Sequence, residues 1–290
     1  MKISGFTFLR NAQMLGYPFV PSIRSILPLV DEFVVAMGPC RDDTEAMIRA
    51  IDDPKIRIIH TTWNENIRND LRVKGFVYGQ QKSIALFNCT GDWAFYLEGD
   101  EVVHEDDLPN IRAAMERHLG NPGMEALYFN YVHLYGNRDT QAVSPAWYRR
   151  EVRVLRNTIP AWGPKGLFFI VLDTPKKGHY PRAAFACGTI YHYGWIRSEA
   201  QMNEKCRQIV KFWRNETSTV HMDEIDPRVL QPFTGTHPAA ISDWLPPANG
   251  LFQANPGHDL TPRERKHRWL MRLESLFGCD LSKRHFTPVS

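Results

Sequence analysis

The 290-residue sequence contains few cysteines and no paired cysteine motif. Its five cysteines are odd in number and scattered along the chain, at Cys40, Cys89, Cys187, Cys206 and Cys279. A disulfide framework or a structural zinc site would need paired or closely spaced cysteines. We therefore expect neither, and we expect reduced, mostly buried thiols.

Long apolar runs and a strong net charge are also missing. No stretch approaches the roughly 18 apolar residues of a membrane span, and the N-terminal MKISGFTFLR lacks the apolar core and cleavage site of a secretory signal. A formal net charge of only +3, without an aromatic and basic recognition motif, argues against a nucleic-acid partner. We expect a cytoplasmic protein with one large domain and a C-terminal extension.

Apolar runs typical of strands alternate with helical patterns in the first 122 residues. The predicted strands are Ile3–Leu9, Phe33–Met37, Ile56–His60 and a strand ending at Glu98. The predicted helices cover Pro21–Leu29, the region around Met47–Ile51, the region around Lys82–Cys89, and Leu108–Leu119. This alternating order predicts a mainly parallel α/β sheet with helices on both faces.

After Gly123 the sequence becomes aromatic and β-prone. Further strands are predicted at Ala126–Tyr135, Glu151–Leu155 and Leu167–Leu172. Ser198 and Gln201 form a capping box for a helix whose buried face carries Met202, Cys206, Ile209 and Trp213. Residues 220–256 lack periodicity and predict an irregular wrap, and Thr261 and Gly278 mark the ends of a last helix.

An acidic cluster follows the strand that ends near Glu98. The segment 91–107 reads GDWAFYLEGDEVVHEDD, so a short apolar run stops at Glu98, Asp100 and Glu101. Parallel α/β sheets bind ligands at the carboxyl ends of their strands, and Mg²⁺ or Mn²⁺ prefers carboxylate oxygens. The cluster predicts a divalent metal site, although a solvated loop that caps the next helix would also explain it.

Three segments, in this order, make the N-terminal half resemble glycosyltransferase family two, whose members use nucleotide sugars and have the GT-A fold. They are FTFLRNA (6–12), VVAMGPCRDDT (34–44) and CTGDWAFYLEGDE (89–101). Cys40 stands where the family usually has Ser, and Glu98 stands at the first position of the family's Asp-x-Asp-Glu pattern. HYGW (192–195) and GTHP (235–238) look like features of a bacterial subgroup.

The resemblance implies a metal-dependent, inverting glycosyltransferase that moves a sugar from a nucleoside diphosphate to a glycan or glycolipid acceptor. Its expected fold is a GT-A, Rossmann-like sheet with a smaller acceptor-side β region and C-terminal helices. Residues 1–215 would form the catalytic domain, with 1–122 for the donor and 123–215 for the acceptor. Residues 216–290 would pack on it as an extension. Such an enzyme would act in surface polysaccharide assembly, in the cytoplasm or at the inner face of its membrane.

The resemblance also suggests which residues contact the donor and the metal. The donor site would include Phe8, Arg10, Asn11, Asp42, Lys82, Glu98 and Gly99. Asp100 would bind Mn²⁺ or Mg²⁺ directly, Glu98 would reach the metal through water or bind ribose hydroxyls, and His192 would complete the site. Lys82 could equally be a solvated helix residue, and His192 could be a core histidine.

The catalytic base and the acceptor site are less clearly marked. A carboxylate is needed to take the acceptor hydroxyl's proton, and Glu151 and Asp173 are the two candidates. Glu151 could instead form a salt bridge with Arg149 or Arg153. Trp162, Tyr193 and Trp195 could stack on sugar rings, but aromatic clusters also form protein cores.

Three alternative readings concern the whole chain and its last helix. A sugar-phosphate nucleotidyltransferase would need a Gly-rich, basic phosphate loop, which FLRNAQMLG does not provide. A glycan-binding protein on a catalytically degenerate GT-A fold is a second alternative. The basic stretch Arg263–Arg268, followed by apolar residues, predicts either contact with an anionic membrane surface or an amphipathic helix packed on the domain.

Overall fold

The computed structural model describes residues 1–67, 74–213 and 219–289, without the side chains of residues 211 and 213. The helices are α1 (Phe19–Ile26), α2 (Thr44–Arg49), α3 (Phe76–Phe87), α4 (Leu108–Leu119), α5 (Glu199–Trp213) and α6 (Pro262–Phe277). The strands are β1 (Ile3–Leu9), β2 (Glu32–Met37), β3 (Ile56–His60), β4 (Trp93–Tyr96), β5 (Glu101–Val103), β6 (Ala126–Tyr135), β7 (Thr140–Ala142), β8 (Arg150–Arg156), β9 (Ala161–Trp162), β10 (Ile170–Thr174), β11 (Lys177–His179), β12 (Arg182–Trp195), β13 (Leu230–Pro232) and β14 (Thr287–Pro288).

The first half of the chain forms a parallel sheet with helices on both faces. Strands β3, β2, β1 and β4 lie side by side in that order, and every pairing among them is parallel. Alternate residues of β1 point to opposite faces, so Ile3 joins one core cluster and Phe6 another. The first cluster includes residues of α1 and α4, and the second includes residues of α3. The predicted mixed α/β fold with helices on both faces is confirmed.

Beyond β4 the sheet becomes mixed. Strand β8 pairs antiparallel with both β4 and β6, and the sheet continues through β7 to β13. The 14-residue strand β12 pairs parallel with β6 and antiparallel with β5. Strand β12 was not among the predicted strands, because Gly188, Thr189, His192 and Gly194 interrupt its apolar residues. Its ladder with β6 is also irregular at two places, with Cys187 at a positive φ of 56°.

The predicted helix ends agree best with the structure where a capping residue or a clear hydrophobic period marks them. Helix α4 covers the predicted residues, and Thr261 with Glu264 forms the capping box of α6, which ends at Gly278 in the left-handed conformation. Ser198 and Gln201 likewise exchange hydrogen bonds at the start of α5. Helix α3 begins six residues before the predicted region, at Phe76. The predicted burial of the Trp213 side chain lies outside the described residues.

The C-terminal segment follows an irregular path over the sheet, as predicted for residues 220–256. An Asp226–Arg268 ion pair ties this path to α6. The segment contacts the rest of the chain through an Arg149–Glu274 ion pair and the pairing of β14 with β12. No helix within the described ranges is long and apolar enough to cross a membrane.

The five thiols are all free, but the expectation that most are buried is wrong. Cys89 is buried, Cys279 is exposed, and Cys40, Cys187 and Cys206 are half-buried. The exposed Cys279 follows the Gly278 that ends α6, so this thiol belongs to a surface turn.

Candidate active site

A cleft of about 530 Å³ opens at the carboxyl ends of β1 and β4. Its walls also include the turns at 145–148 and 165–168, one side of α5, and Lys283 and His285 near the C-terminus. Eight aromatic side chains contribute to the lining: Phe8, Tyr17, Trp63, Tyr78, Tyr96, Tyr148, Phe168 and Phe212. Four cations do so as well: Arg10, Lys165, Lys205 and Lys283. The cleft therefore suits an anionic ligand with a flat ring.

Two buried donors at the cleft have no acceptor among the described residues. Arg10 pairs with Glu65 through Nη2 at 2.6 Å and lies over the Trp63 ring, but its Nη1 has no hydrogen-bond partner. The Trp63 indole Nε1 likewise has none. Unsatisfied buried donors are rare in folded proteins, so an acceptor-rich ligand is a physical explanation for both.

Four of the residues predicted to bind the donor line this cleft, namely Phe8, Arg10, Glu98 and Gly99. Asn11 and Asp42 lie behind it and fix the loops. Asn11 is buried with a positive φ of 52° and accepts a hydrogen bond from Arg41 N at 2.8 Å. Asp42 accepts hydrogen bonds from Met14 N and from the Thr44 hydroxyl. These two side chains shape the site from outside the cleft lining.

Lys82 lies neither at the donor site nor at the solvent-exposed surface, the two positions predicted for it. It is fully buried, and its Nζ donates to the carbonyls of Gly166 and Phe168 at 2.9 and 3.2 Å. The ammonium also lies 3.6 Å from the Phe169 ring centroid. Burial, followed by the charge of Arg153, holds the pKa of Lys82 well below its usual range. Lys82 thus positions the 166–168 turn instead of facing a phosphate or solvent.

Asp100 is buried within the acidic cluster, and only one of its two carboxylate oxygens has a hydrogen-bond partner among the described residues. Its Oδ2 accepts from Arg197 Nη2 at 2.6 Å and lies 3.6 Å from Lys205 Nζ, whereas its Oδ1 has no partner in the described parts of the chain. Burial alone would raise the pKa of Asp100, but the positive charges of Lys205 and Arg197 outweigh it and hold the pKa below its usual range. Asp100 is therefore a carboxylate at neutral pH.

His192 presents a lone pair toward Asp100. The ring nitrogen His133 Nε2 donates to the Tyr148 carbonyl at 2.8 Å, so the neutral His133 ring has an acceptor at Nδ1. His192 Nδ1 lies 3.3 Å from that atom and must be the donor, which leaves the lone pair on His192 Nε2. Burial lowers the pKa of both rings, to about 3 for His133, so both are neutral. His192 Nε2 is 3.7 Å from Asp100 Oδ1.

Gly194 lies close to both side chains, and only a residue without a Cβ fits there. A Cβ at this position would lie 2.5 Å from His192 Nε2 and 2.7 Å from Asp100 Oδ2. Two acceptors that face each other with no hydrogen between them repel unless a cation lies between them. Carboxylate oxygen and imidazole nitrogen are both common ligands of divalent metals. Asp100 and His192 therefore fit a metal ion, whereas no group of three His, Cys, Asp or Glu side chains does so within the described ranges.

Glu98 and Glu101 flank Asp100 but have different surroundings. Glu101 is buried and accepts two hydrogen bonds from Arg153, at 2.8 and 2.6 Å, and one from the Tyr131 hydroxyl. Glu98 lines the cleft and lies 3.4 Å from Arg153. Burial, and then the charge of Glu101, raise the pKa of Glu98 to about 8. The raised pKa favours the protonated form of Glu98, which can donate a hydrogen bond to a hydroxyl group.

The two candidate bases are far from equivalent. Glu151 is buried, and its Oε2 lies 2.5 Å from Nδ1 of His285, which lines the cleft. Its predicted alternative, an ion pair with Arg149 or Arg153, does not form in the structure: Arg149 pairs with Glu274 and Asp280, and Arg153 pairs with Glu98 and Glu101. Asp173 lies in β10, where it pairs with His179 at 2.8 Å and is outside the cleft lining.

The three aromatic residues predicted to bind the acceptor do not line the cleft. Tyr193 is fully buried and its hydroxyl is 3.0 Å from His237 Nδ1. Trp195 stacks on Tyr135 with ring centroids 5.4 Å apart. Trp162 lies in the separate three-stranded sheet of β9, β10 and β11. The alternative reading of these rings as core or packing residues describes their positions better.

Sequence reasoning missed Trp63, Arg197, Lys205 and His285, all of which lie at the cleft or at Asp100. Trp63 follows β3, so the rule that ligands meet strand ends could have found it. The other three lie far along the chain and reach the site only through the fold. No local pattern marks them.

No family model and no curated protein matches the chain. Solved structures that align with it include glucosyl-3-phosphoglycerate synthase from Mycobacterium tuberculosis in complex with Mn²⁺, UDP and phosphoglyceric acid, at 23% identity and a TM-score of 0.30. That alignment covers 46% of this chain and 43% of the synthase. The same protein with Mg²⁺ and UDP aligns at 22% identity over 46% of this chain and 43% of its own length, also with a TM-score of 0.30.

S. aureus TarS aligns at 13% identity over 77% of this chain and 42% of TarS, with a TM-score of 0.36. This chain therefore spans less than half the length of each of these proteins.

Proposed function

We propose that the protein is a metal-dependent, inverting glycosyltransferase that uses a nucleoside diphosphate sugar as donor. The observation that carries this proposal is the unpartnered Oδ1 of Asp100 beside the Nε2 lone pair of His192. Lys205 connects this pair to the cleft, because it lies 3.6 Å from Asp100 and also lines the cleft wall. A cation site next to a basic, aromatic cleft is what a metal-bound diphosphate requires.

Asp100 and His192 would hold the metal, which is Mn²⁺ or Mg²⁺. When bound, the metal would supply a positive charge that stabilises the departing diphosphate. Arg197 keeps the Asp100 carboxylate in place by donating to Oδ2 while its other nitrogens donate to the carbonyls of Gly194 and Leu15. Both carbonyl bonds are 2.8 Å long, so Arg197 is itself held in position.

The donor would lie along the cleft with its base among the aromatic side chains. Arg10 Nη1 and Trp63 Nε1 are free to donate to phosphate or base acceptors. Lys205 would offset phosphate charge near Asp100. Protonated Glu98 would bind hydroxyls of the ribose or of the transferred sugar, which is the role that its pKa of about 8 favours over metal ligation.

The acceptor is proposed to be a glycan or a lipid-linked glycan, as in surface polysaccharide assembly. It would enter from the side of the cleft formed by Lys165, Phe168 and His285. Lys165 and Phe168 belong to the predicted acceptor half (123–215), whereas His285 belongs to the predicted C-terminal extension (216–290).

Isothermal titration calorimetry with UDP, GDP and dTDP, with and without Mn²⁺, tests the proposal. We expect one nucleotide to bind at least tenfold more tightly with Mn²⁺. Asp100→Asn should remove that metal-dependent gain and abolish turnover, while circular dichroism shows a folded protein. Asp106→Asn is the matched control, because Asp106 is exposed in the same segment and does not line the cleft.

Two results would contradict the proposal. If Asp100→Asn keeps near-normal transfer, the metal assignment is wrong. If the protein binds glycans but no nucleotide under any metal condition, it is a glycan-binding protein on this fold.

A further inference from the structure

Glu151 and His285 form a buried carboxylate and histidine pair at the wall of the cleft. The two residues are 134 positions apart, and their contact of 2.5 Å joins β8 to the C-terminal segment. The Glu151 side chain is 0% exposed and that of His285 is 3% exposed. The ring of His285 stacks on Phe168, with centroids 4.8 Å apart and planes 16° apart, and contacts Tyr180 edge-on.

The hydrogen bonds of this pair leave one ring nitrogen available. Glu151 Oε1 accepts from Val152 N at 2.9 Å, and Oε2 accepts from His285 Nδ1, so both carboxylate oxygens are engaged. His285 Nε2 has no hydrogen-bond partner within residues 1–67, 74–213 and 219–289, and the ring borders the cleft. A ring that donates through Nδ1 carries its lone pair on Nε2.

We infer, on the basis of the proposed function, that His285 is the general base of the transfer and that Glu151 is its positioning residue. His285 Nε2 takes the proton of the acceptor hydroxyl as that oxygen forms a bond to C1 of the sugar. The bond between C1 and the diphosphate oxygen breaks, and its electron pair leaves with the diphosphate. Glu151 fixes the ring's tautomer and stabilises the imidazolium that forms.

Hydrolysis of the donor, with water as acceptor, tests this role without knowledge of the natural acceptor. We expect His285→Ala to lower kcat for nucleoside diphosphate release about 100-fold or more, with donor affinity unchanged by calorimetry. Added imidazole should restore part of the lost rate, which a purely structural residue would not show. Glu151→Gln should lower kcat about tenfold at unchanged KM.

His60→Ala is the control, because His60 pairs with Glu45 at 3.0 Å on the surface, away from the cleft. The base assignment is overturned if His285→Ala hydrolyses the donor at the wild-type rate. It is also overturned if the loss comes with lost donor affinity and no response to imidazole. A wild-type protein that binds no nucleotide sugar refutes the proposed function itself, and the base role with it.

The exposed face of α6 carries a second, independent inference. On this face Trp269 is 61% exposed, Leu276 76% and Phe277 73%. Arg265, Lys266 and Arg272 are exposed on the same helix. These six residues are called the outer face of α6.

The acidic residues of α6 are turned away from the outer face and neutralised. Glu264 caps the helix and contacts His258, and Glu274 binds Arg149 at 2.5 and 2.7 Å. The outer face therefore combines large apolar side chains with uncompensated positive charge. The alternative prediction, a helix whose apolar stripe is packed on the domain, does not describe Trp269, Leu276 and Phe277.

We propose that the outer face of α6 docks on an anionic lipid bilayer. Tryptophan and other large apolar side chains enter the interfacial region of a membrane, while neighbouring Lys and Arg contact acidic head groups. Charge complementarity thus favours a negatively charged surface over an apolar protein partner.

Sedimentation with vesicles of phosphatidylcholine alone, or with 30% phosphatidylserine, tests the docking. The full chain should bind the anionic vesicles at least tenfold more tightly, and 0.5 M salt should release it. Arg265→Glu with Lys266→Glu, and separately Trp269→Ser with Phe277→Ser, should each weaken binding tenfold or more. Arg207→Glu and Phe87→Ser are matched controls, since both residues are exposed on other helices.

Equal binding to neutral and anionic vesicles, or no binding to either, would refute the docking. A concentration-dependent dimer in sedimentation velocity that Trp269→Ser abolishes would assign the outer face to a second copy of this chain instead.

Discussion

Asp100 and Glu101 are adjacent in sequence, both fully buried and both paired with a buried arginine, yet they differ in one respect. Every oxygen of Glu101 is engaged, by Arg153, the Tyr131 hydroxyl and Glu98 N. Asp100 has one oxygen bound to Arg197 and one with no partner in the described structure. A closed network stabilises the fold, whereas an open carboxylate in a buried site has to be explained by a ligand.

The difference arises from the strands that face the two carboxylates. Glu101 lies at the start of β5, where Arg153 reaches it from β8 and lies over the rings of Tyr96 and Tyr131. Asp100 lies before that strand, where the irregular end of β12 brings His192 and Gly194 to it. The irregular end of β12 is therefore what places an imidazole beside the open oxygen of Asp100.

The largest expected effect is on stability. Glu101→Gln leaves the Arg153 guanidinium without its counter-charge in a site with no solvent access, which costs about 3–5 kcal/mol. Urea denaturation should show this loss. Glu116→Gln is the control, because Glu116 pairs with Arg112 on the surface of α4 and should cost less than about 0.5 kcal/mol. Equal losses in the two variants would mean that the Glu101 network does not hold the fold.

A smaller effect, confined to metal binding, is expected from Gly194→Ala. The added methyl group would lie against His192 Nε2 and the Asp100 carboxylate, so it displaces one of the two ligands. We expect Mn²⁺ affinity to fall about 10- to 100-fold, the range seen when the support of a metal ligand is disturbed. Calorimetry with Mn²⁺ and nucleotide measures it.

Gly120→Ala is the control for that variant, because a Cβ at Gly120 meets no atom within 4 Å. If Gly194→Ala binds Mn²⁺ as the wild type does, the metal lies elsewhere and the open oxygen of Asp100 needs another explanation.

The parallel half of the fold could be predicted from sequence because its signals are local. Strands β2 and β4 contain short apolar runs, β1 and β3 are short segments rich in β-prone residues, and α4 has both a helical period and a proline in its first turn. The ends of such strands meet at one edge by topology alone, so Phe8, Arg10 and Glu98 could be assigned to one cleft. Nothing comparable marked β12, whose mixed small, polar and aromatic residues match no single period.

The rest of the site could not be predicted because it depends on contacts between distant residues. The carboxylate of Glu151 makes it a candidate base in the sequence, but only the fold shows that His285 lies between Glu151 and the cleft. Lys82 was expected at the surface or at a phosphate, since a lysine in a helix gives no sign that two backbone carbonyls surround its ammonium. Burial of a charged side chain is a property of the packed structure, which local sequence does not encode.

A pH-dependent effect extends the comparison to a third carboxylate, Glu98. The folded-state pKa of Glu98, about 8, lies above its usual value of 4.5, so folding favours the protonated form. This contribution to stability is fully present below pH 4.5 and is lost as the pH rises through 8. Wild-type stability should therefore fall relative to Glu98→Gln between about pH 5 and 8, by at most about 1.4 kcal/mol per pH unit.

Urea denaturation of both proteins across that pH range, without metal, gives the difference directly. The difference in stability between the wild type and Glu116→Gln should stay constant over the same range, because Glu116 is solvent-exposed. Parallel curves for the wild type and Glu98→Gln would mean that Glu98 is ionised at neutral pH. In that case Glu98, like His192, could be the second metal ligand beside Asp100. The comparison between Asp100, which has an open oxygen, and Glu101, whose oxygens are all engaged, would then have to include Glu98.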